Sequence, residues 1–281
     1  MTHVRETAYA KLNLALHVRA RREDGYHELE TLFAFCEHGD VLSAQSAERD
    51  DVRVLGEFAS NVGDPGDNLV ARALAALPHP DGLSITLEKN LPVAAGLGGG
   101  SADAGAAFRL VEKTHGLPDD WQARALELGA DVPACVRSEM AIGRGVGEEL
   151  APLENDLAGT PVLLVNPRIA LSTGPVFAAW DGFDRGPLPQ GSARDIALNG
   201  RNDLEAPAIS ICPAIDQVLR ALGATSPLLA RMSGSGATCF GLYGNAAQAE
   251  AAATLLLRHH PDWWIKSCMT GPSAGVRHEP H

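Results

Sequence analysis

Pro92-Val93-Ala94-Ala95-Gly96-Leu97-Gly98-Gly99-Gly100-Ser101-Ala102-Asp103-Ala104-Gly105 is a glycine cluster set where an apparent strand gives way to a helix. Upstream, Leu83 to Lys89 alternates apolar and polar residues as a half-buried strand does. Downstream, Ala106, Ala107, Phe108, Leu110 and Val111 read as a helix that ends near Gly116-Leu117-Pro118, with Ser101 and Asp103 as its capping set. The loop therefore delivers a helix N-terminus. Its first N–H groups lack intrahelical acceptors and lie at the positive end of the helix dipole, and glycines let an anion approach without a Cβ in the way. That is the geometry of a phosphate cradle.

Two other phosphate loops are excluded. No lysine follows these glycines as the G-x-x-x-x-G-K-[ST] loop demands, and Ser101 stands where the dinucleotide fingerprint needs glycine. A flexible linker is the bland alternative, but the run is neither serine-rich nor repetitive.

Working outward, 281 residues with 45% apolar and 21% charged content describe an ordinary globular chain of one large or two medium domains, and two is our reading. The boundary falls within Glu154 to Gly159, giving 1–157 and 158–281. A formal net charge of −12 argues against nucleic-acid or anionic-membrane partners. The five cysteines, Cys36, Cys135, Cys212, Cys239 and Cys268, have no C-x-x-C pair, so buried thiols are expected rather than disulfides or a zinc site. With no apolar leader or membrane span, a cytoplasmic protein is expected.

Periodicity gives an α+β pattern. Tyr9 to Val18 reads as a strand with Leu12, Leu14, Leu16 and Val18 on one face and a polar stripe of Lys11, Asn13 and His17 on the other. Short strands are expected at 29–35, 40–43 and 52–58, then a loop at 63–67 and a helix at 68–77. A helix over 121–128 ends at Gly129, another restarts at Val132-Pro133, and Asp131 sits at the junction. Pro161 to Val165 is an apolar strand. Residues 181–203 read as a mobile loop, 215–222 as helix, and Arg231 to Phe240 as a second glycine turn entering a strand.

Lys11 in Ala10-Lys11-Leu12-Asn13-Leu14, the 92–101 loop and Met232-Ser233-Gly234-Ser235-Gly236-Ala237 occur in an order that resembles the GHMP kinase superfamily. Asp24-Gly25-Tyr26-His27, Gly129-Ala130-Asp131-Val132-Pro133 and Asn202-Asp203-Leu204-Glu205 are similar, within it, to the family of 4-diphosphocytidyl-2-C-methyl-D-erythritol kinases. The resemblance covers about residues 8–243. It implies a two-domain α+β fold, with a ribosomal-protein-like N-terminal domain containing a left-handed βαβ unit, a ferredoxin-like C-terminal domain and a site in the cleft between.

It also implies transfer of the ATP γ-phosphate, with Mg2+, to the 2-hydroxyl of a small diphosphocytidyl methylerythritol substrate, in a monomer or weak homodimer. Phosphoryl transfer asks a protein for positioning, charge stabilisation and a group to take or orient the hydroxyl proton. Asp131 and Lys11 match the catalytic pair. Taken alone, Asp131 reads as a helix N-cap and Lys11 as a solvent-facing strand lysine. Pro92 to Ala102 match the phosphate loop, and Asn68 and Lys89 match positions around the nucleoside. Asn13, Tyr26, His27, Phe33, Thr173 and Phe177 match substrate positions, with Tyr26 and Phe177 as stacking aromatics and His27 on the polar edge of the base. Gly234, Ser235 and Gly236 are expected to close the site, although a purely structural turn fits them equally well. No metal-ligand set is assigned.

Departures from the pattern are Ala102 in place of a second serine, and Tyr9 and Ser172 where proline is commoner. Mevalonate and homoserine kinases, which would lack the Asp-Gly-Tyr-His segment, and a non-catalytic nucleotide-binding regulator, which would have lost Lys11 or Asp131, are the rival readings.

Overall fold

The structure is a computed structural model that describes residues 4–62 and 68–271, so the loop expected at 63–67 lies outside the described residues. Two long strands, β1 (Val4–Arg21) and β2 (His27–Ala47), pair with each other and contribute to both of the compact units into which the chain divides.

The first unit comprises 4–11, 38–62, 68–93 and 98–138 of the described chain. In it β3 (Asp51–Leu55), α1 (Leu69–Ala76) and β4 (Gly82–Glu88) form a βαβ unit, with β3 and β4 parallel and β4 antiparallel to the distal half of β2. The glycine loop then enters α2 (Gly99–His115), which precedes α3 (Trp121–Leu128) and α4 (Val132–Arg137). α2 is buried on all sides from Ala102 to Phe108, and again at Leu110 and Val111. Small residues let its neighbours approach closely: a Cβ at Gly105 would lie 2.5 Å from the carbonyl carbon of Cys135 on α4.

The second unit comprises 12–37, 94–97 and 139–271 of the described chain. β5 (Ala141–Gly145) pairs with the proximal half of β2 and with β6 (Glu149–Pro152). A second sheet takes the order β10 (Trp264–Met269), β7 (Pro161–Asn166), β9 (Cys239–Leu242), β8 (Leu229–Met232), antiparallel throughout. Helices α5 (Thr173–Ala178), α6 (Ala193–Asn199), α7 (Glu205–Ile211) and α8 (Ala214–Gly223) separate β7 from β8, and α9 (Ala246–His259) separates β9 from β10. Reading those four strands in chain order gives 4-1-3-2, the split βαβ arrangement of ferredoxin-like domains.

Several expectations are corrected. The strands at 29–35 and 40–43 are parts of one strand of 21 residues, which runs without a break through Cys36 to Gly39. The polar stripe of β1 is buried along with the apolar one, at 4% exposure for Lys11, 3% for Asn13 and 1% for His17, so each of these groups needs a partner. Residues 181–203 are not one loop. α6 is capped by Ser192 in a full capping box closed by Asp195, and Arg19 pairs with Asp184 at 2.8 Å. Cys36, Cys135, Cys212 and Cys239 are buried free thiols and Cys268 is half-buried.

Candidate active site

The helix after the glycine loop begins at Gly99, and its N-cap is Gly98 in the left-handed region at φ 62°. Neither Ser101 nor Asp103 caps it, which corrects the sequence expectation. The first intrahelical bond, Ala102 N–H to Gly98 C=O at 2.7 Å, leaves the N–H groups of Gly99, Gly100 and Ser101 ahead of the ladder, as an anion site requires.

Gly98 also explains where Lys11 goes. A Cβ there would stand 3.0 Å from Lys11 Cε, so the loop crosses directly over the lysine stem. The amine reaches Asp131, with Nζ 2.8 Å from Oδ2; Lys11 is buried while the Asp131 side chain is 35% exposed. Asp131 does occupy the N-cap position of α4, but its side chain makes no capping bond. The carboxylate is spent on the lysine, and the two residues expected to act together are in contact.

The Lys89 side chain is engaged by two carboxylates within the fold. Its Nζ is buried between Asp40, by a very short bond, and Asp103 Oδ2 at 2.7 Å. Asp40 Oδ1 in turn accepts the N–H groups of Asn90 at 2.5 Å and Leu91 at 2.8 Å, immediately before Pro92. This triad ties β4, the start of the loop and the second turn of α2 together beneath Gly99, whose Cβ would lie 3.7 Å from Lys89 Nζ. Asp103 Oδ1 is buried with no hydrogen-bond partner. Burial, with Asp40 nearby, pushes the Asp103 carboxyl well above the ordinary range despite Lys89, and the two carboxylates hold the lysine ammonium above its own despite burial. Sequence reasoning missed this role for Asp103. The signal was present, since an acid among Ala102, Ala104, Ala106 and Ala107 on an apolar helix needs a buried cation.

Asn68 is the N-cap of α1, its Oδ1 accepting Ala71 N–H at 3.0 Å, while its Nδ2 is buried without a partner. It has a donor to spare for a ligand.

Residues 94–97 of the loop are clamped by the second glycine turn. Ser233 Oγ donates to Gly96 C=O at 2.8 Å, Thr238 N–H to Ala95 C=O at 3.0 Å and Leu171 N–H to Ala94 C=O at 3.1 Å. Gly96 has φ +76°, and a Cβ on it would collide with the Ser233 and Gly236 carbonyl oxygens, the latter at 2.8 Å. The same Ser233 Oγ accepts Asn13 N–H at 3.2 Å, and Asn13 Nδ2 donates to Thr31 Oγ1 at 2.7 Å. Asn202, beyond the expected site, fixes the turn by donating to Met232 and Gly234 carbonyls at 2.8 Å each.

Of the residues expected at the base, His27 and Phe177 are in ring contact. The His27 ring centroid is 5.0 Å from Phe177, tilted by 42°, and 5.7 Å from Trp180, nearly edge-on. His27 Nε2 has no partner among the described residues. Burial, and then the Arg21 charge, lower its affinity for a proton, so the ring is neutral at pH 7 and can donate and accept. Tyr26 is 61% exposed beside it, at a turn in which Tyr26 N–H donates to Asp24 Oδ1 at 3.0 Å and Gly25 adopts φ 87°. Thr173 opens α5, with Oγ1 3.1 Å from Ser235 Oγ. Phe33 is core, at 1% exposure.

The chain is similar to known proteins over most of its length. The model of the GHMP kinases N terminal domain matches residues 68–139, and that of the GHMP kinases C terminal matches 190–261. The chain is 63% identical over 265 residues to a 4-diphosphocytidyl-2-C-methyl-D-erythritol kinase of Erythrobacter litoralis, covering 93% of this chain and 97% of that one. It is 64% identical over 261 residues to that of Novosphingobium aromaticivorans, covering 93% and 90%. A crystal structure of 4-(cytidine 5'-diphospho)-2C-methyl-D-erythritol kinase superposes with a TM-score of 0.80 at 35% identity, over 95% of this chain and all of that one. On this identity and coverage the chain belongs to the GHMP kinase superfamily and, within it, to the 4-diphosphocytidyl-2-C-methyl-D-erythritol kinase family.

Proposed function

We propose that the chain transfers the γ-phosphate of ATP to the 2-hydroxyl of 4-diphosphocytidyl-2-C-methyl-D-erythritol, giving the 2-phosphate and ADP, with Lys11 and Asp131 as the reacting pair. The observation that carries the assignment of roles is the 2.8 Å contact between Lys11 Nζ and Asp131 Oδ2, with the lysine stem under Gly98 at the start of α2. Asp131 takes the hydroxyl proton as the oxygen attacks phosphorus, and Lys11 holds the carboxylate in place and stabilises the oxyanion. The Gly99 to Ser101 N–H groups receive phosphate oxygens, and negative charge passing to the leaving phosphate is met by the same dipole.

Tyr26 and Phe177 stack on the cytosine ring, and neutral His27 reads its polar edge. Asn13 and Thr173 orient the acceptor, and Asn68 meets the nucleoside of ATP. Lys89 serves the loop through Asp40 and Asp103. Mg2+ would come with the nucleotide, held mainly by phosphate oxygens and water because it needs only one or two protein ligands, and Ser101 is the hydroxyl that the cradle offers it. This reading assigns the ATP loop and the catalytic pair to residues 1–157 and completion of the substrate site to 158–281, in a cytoplasmic monomer or weak homodimer. No described helix is long and apolar enough to cross a membrane.

A coupled ADP-release assay with the diphosphocytidyl substrate, mevalonate and homoserine in parallel tests the reading. Turnover with the first alone is expected; turnover with either of the others and none with the first would overturn it.

A further inference from the structure

α4 spans only Val132–Arg137, too few residues for a helix to hold its own position. Its N-cap, Asp131, contributes no capping bond, because its carboxylate faces Lys11. The placement of that carboxylate is therefore decided by what holds the helix from outside.

One contact is the close approach of α2, where Gly105 leaves no room for a Cβ against Cys135. One turn further along the same face of α2 stands Arg109. Its Nη1 donates to the Cys135 carbonyl at 2.7 Å, the Val136 carbonyl at 3.2 Å and Ser138 Oγ at 3.2 Å. Those carbonyls close the last turn of α4, where a helix has unpaired acceptors and favours a cation. From the same guanidinium Nη2 donates to the Thr7 carbonyl at 2.6 Å and Nε to Glu6 Oε2 at 2.9 Å, both on β1, and Cζ lies 5.7 Å from the centroid of the Tyr9 ring. β1 is the strand that carries Lys11. α4 is thus fastened to β1 at two points: behind through Arg109, and in front through the Asp131–Lys11 pair.

We infer that Arg109 is a positioning residue for phosphoryl transfer, setting the reach from Asp131 to Lys11 by holding the C-terminus of α4 against β1. The inference rests on the catalytic reading of Asp131 given above. A guanidinium suits the task because its donors diverge in one plane, toward two elements at once; an ammonium has no such fork.

The test is a double-mutant cycle of Arg109→Met and Asp131→Asn, with kcat and both KM values measured alongside the folded fraction. Arg109→Met is expected to lower kcat by about 10- to 100-fold, the scale of a small misplacement of a reacting group. KM for ATP and for the acceptor should change by less than about 2-fold, since those contacts lie elsewhere. Arg109→Lys should recover only part of kcat. In the Asp131→Asn background Arg109→Met should have no further effect, because the group it positions is gone.

An equal proportional fall in both backgrounds would show that Arg109 acts on folding alone, and full kcat in Arg109→Met would show that it does not act at all; either overturns the inference. Undiminished kcat in Asp131→Asn by itself would overturn the catalytic reading, a result visible without any Arg109 variant. If Arg109→Met does not fold, Arg109→Lys completes the same cycle.

Discussion

Lys11 Nζ lies 2.8 Å from Asp131 Oδ2 although the two residues are 120 positions apart in the chain. β1 supplies one and the junction before α4 the other. Replacing Asp131 by Asn should lower kcat by about 10²- to 10⁴-fold, the usual range for loss of a general base. Binding of ATP, measured by titration, should be nearly unchanged. Parallel loss of binding and turnover would mean that the pair holds the fold instead.

Gly96→Ala should disturb the phosphate loop more than its size suggests. The residue sits at φ +76°, and the added methyl would press on the carbonyls of Ser233 and Gly236. The backbone term alone is about 1–2 kcal/mol. We expect a lower denaturation midpoint together with a higher KM for ATP; unchanged values for both would mean that the clamp yields freely.

Removing Lys89 leaves two carboxylates buried together. Lys89→Met should destabilise by about 3–5 kcal/mol, as breaking a buried ion pair does. Adding Asp103→Asn should return part of that loss, because the Asp40 carboxylate still has the Asn90 and Leu91 N–H groups. Chemical denaturation of the single and double variants decides; additive losses would sink the triad as a unit.

Tyr26→Ala should raise KM for the cytidyl substrate and leave that for ATP unchanged. His27, held below its ordinary value of 6.5 by burial and by Arg21, stays neutral until the pH falls beneath that value. KM for the cytidyl substrate should therefore be flat from pH 8 down to 6.5 and rise only below. A rise centred above 6.5 would contradict a neutral, edge-reading imidazole.

His79 titrates in the opposite direction. Burial opposes its charge, but Asp50 at 3.0 Å from Nε2 and the Leu77 carbonyl at 2.8 Å from Nδ1 prevail and raise it above 6.5. The stabilisation is fully present below pH 6.5 and is lost as the pH rises through the folded-state value. The gap in denaturation midpoint between the wild type and His79→Gln should shrink between pH 6 and pH 8.5; a constant gap would show that the clasp carries no charge.

The sequence by itself determined the strand, loop and helix around the phosphate cradle, because a period of two, a glycine cluster and a period of 3.6 are local facts of the chain. It also determined the family, through Lys11, Asp131 and the Asp24-Gly25-Tyr26-His27 segment in their order. It misread Asp103 as a cap, gave no sign that Lys89 bridges two buried carboxylates, and divided β2 in two at Cys36 to Gly39. Only the tertiary structure decided those points, because a buried charge takes its role from the partner that folding brings to it. Asp40 is 49 residues from Lys89, and nothing local to either residue says that they meet. The same holds for Arg109, whose guanidinium has no neighbour in sequence that explains it and gains its meaning only where β1, α2 and α4 converge.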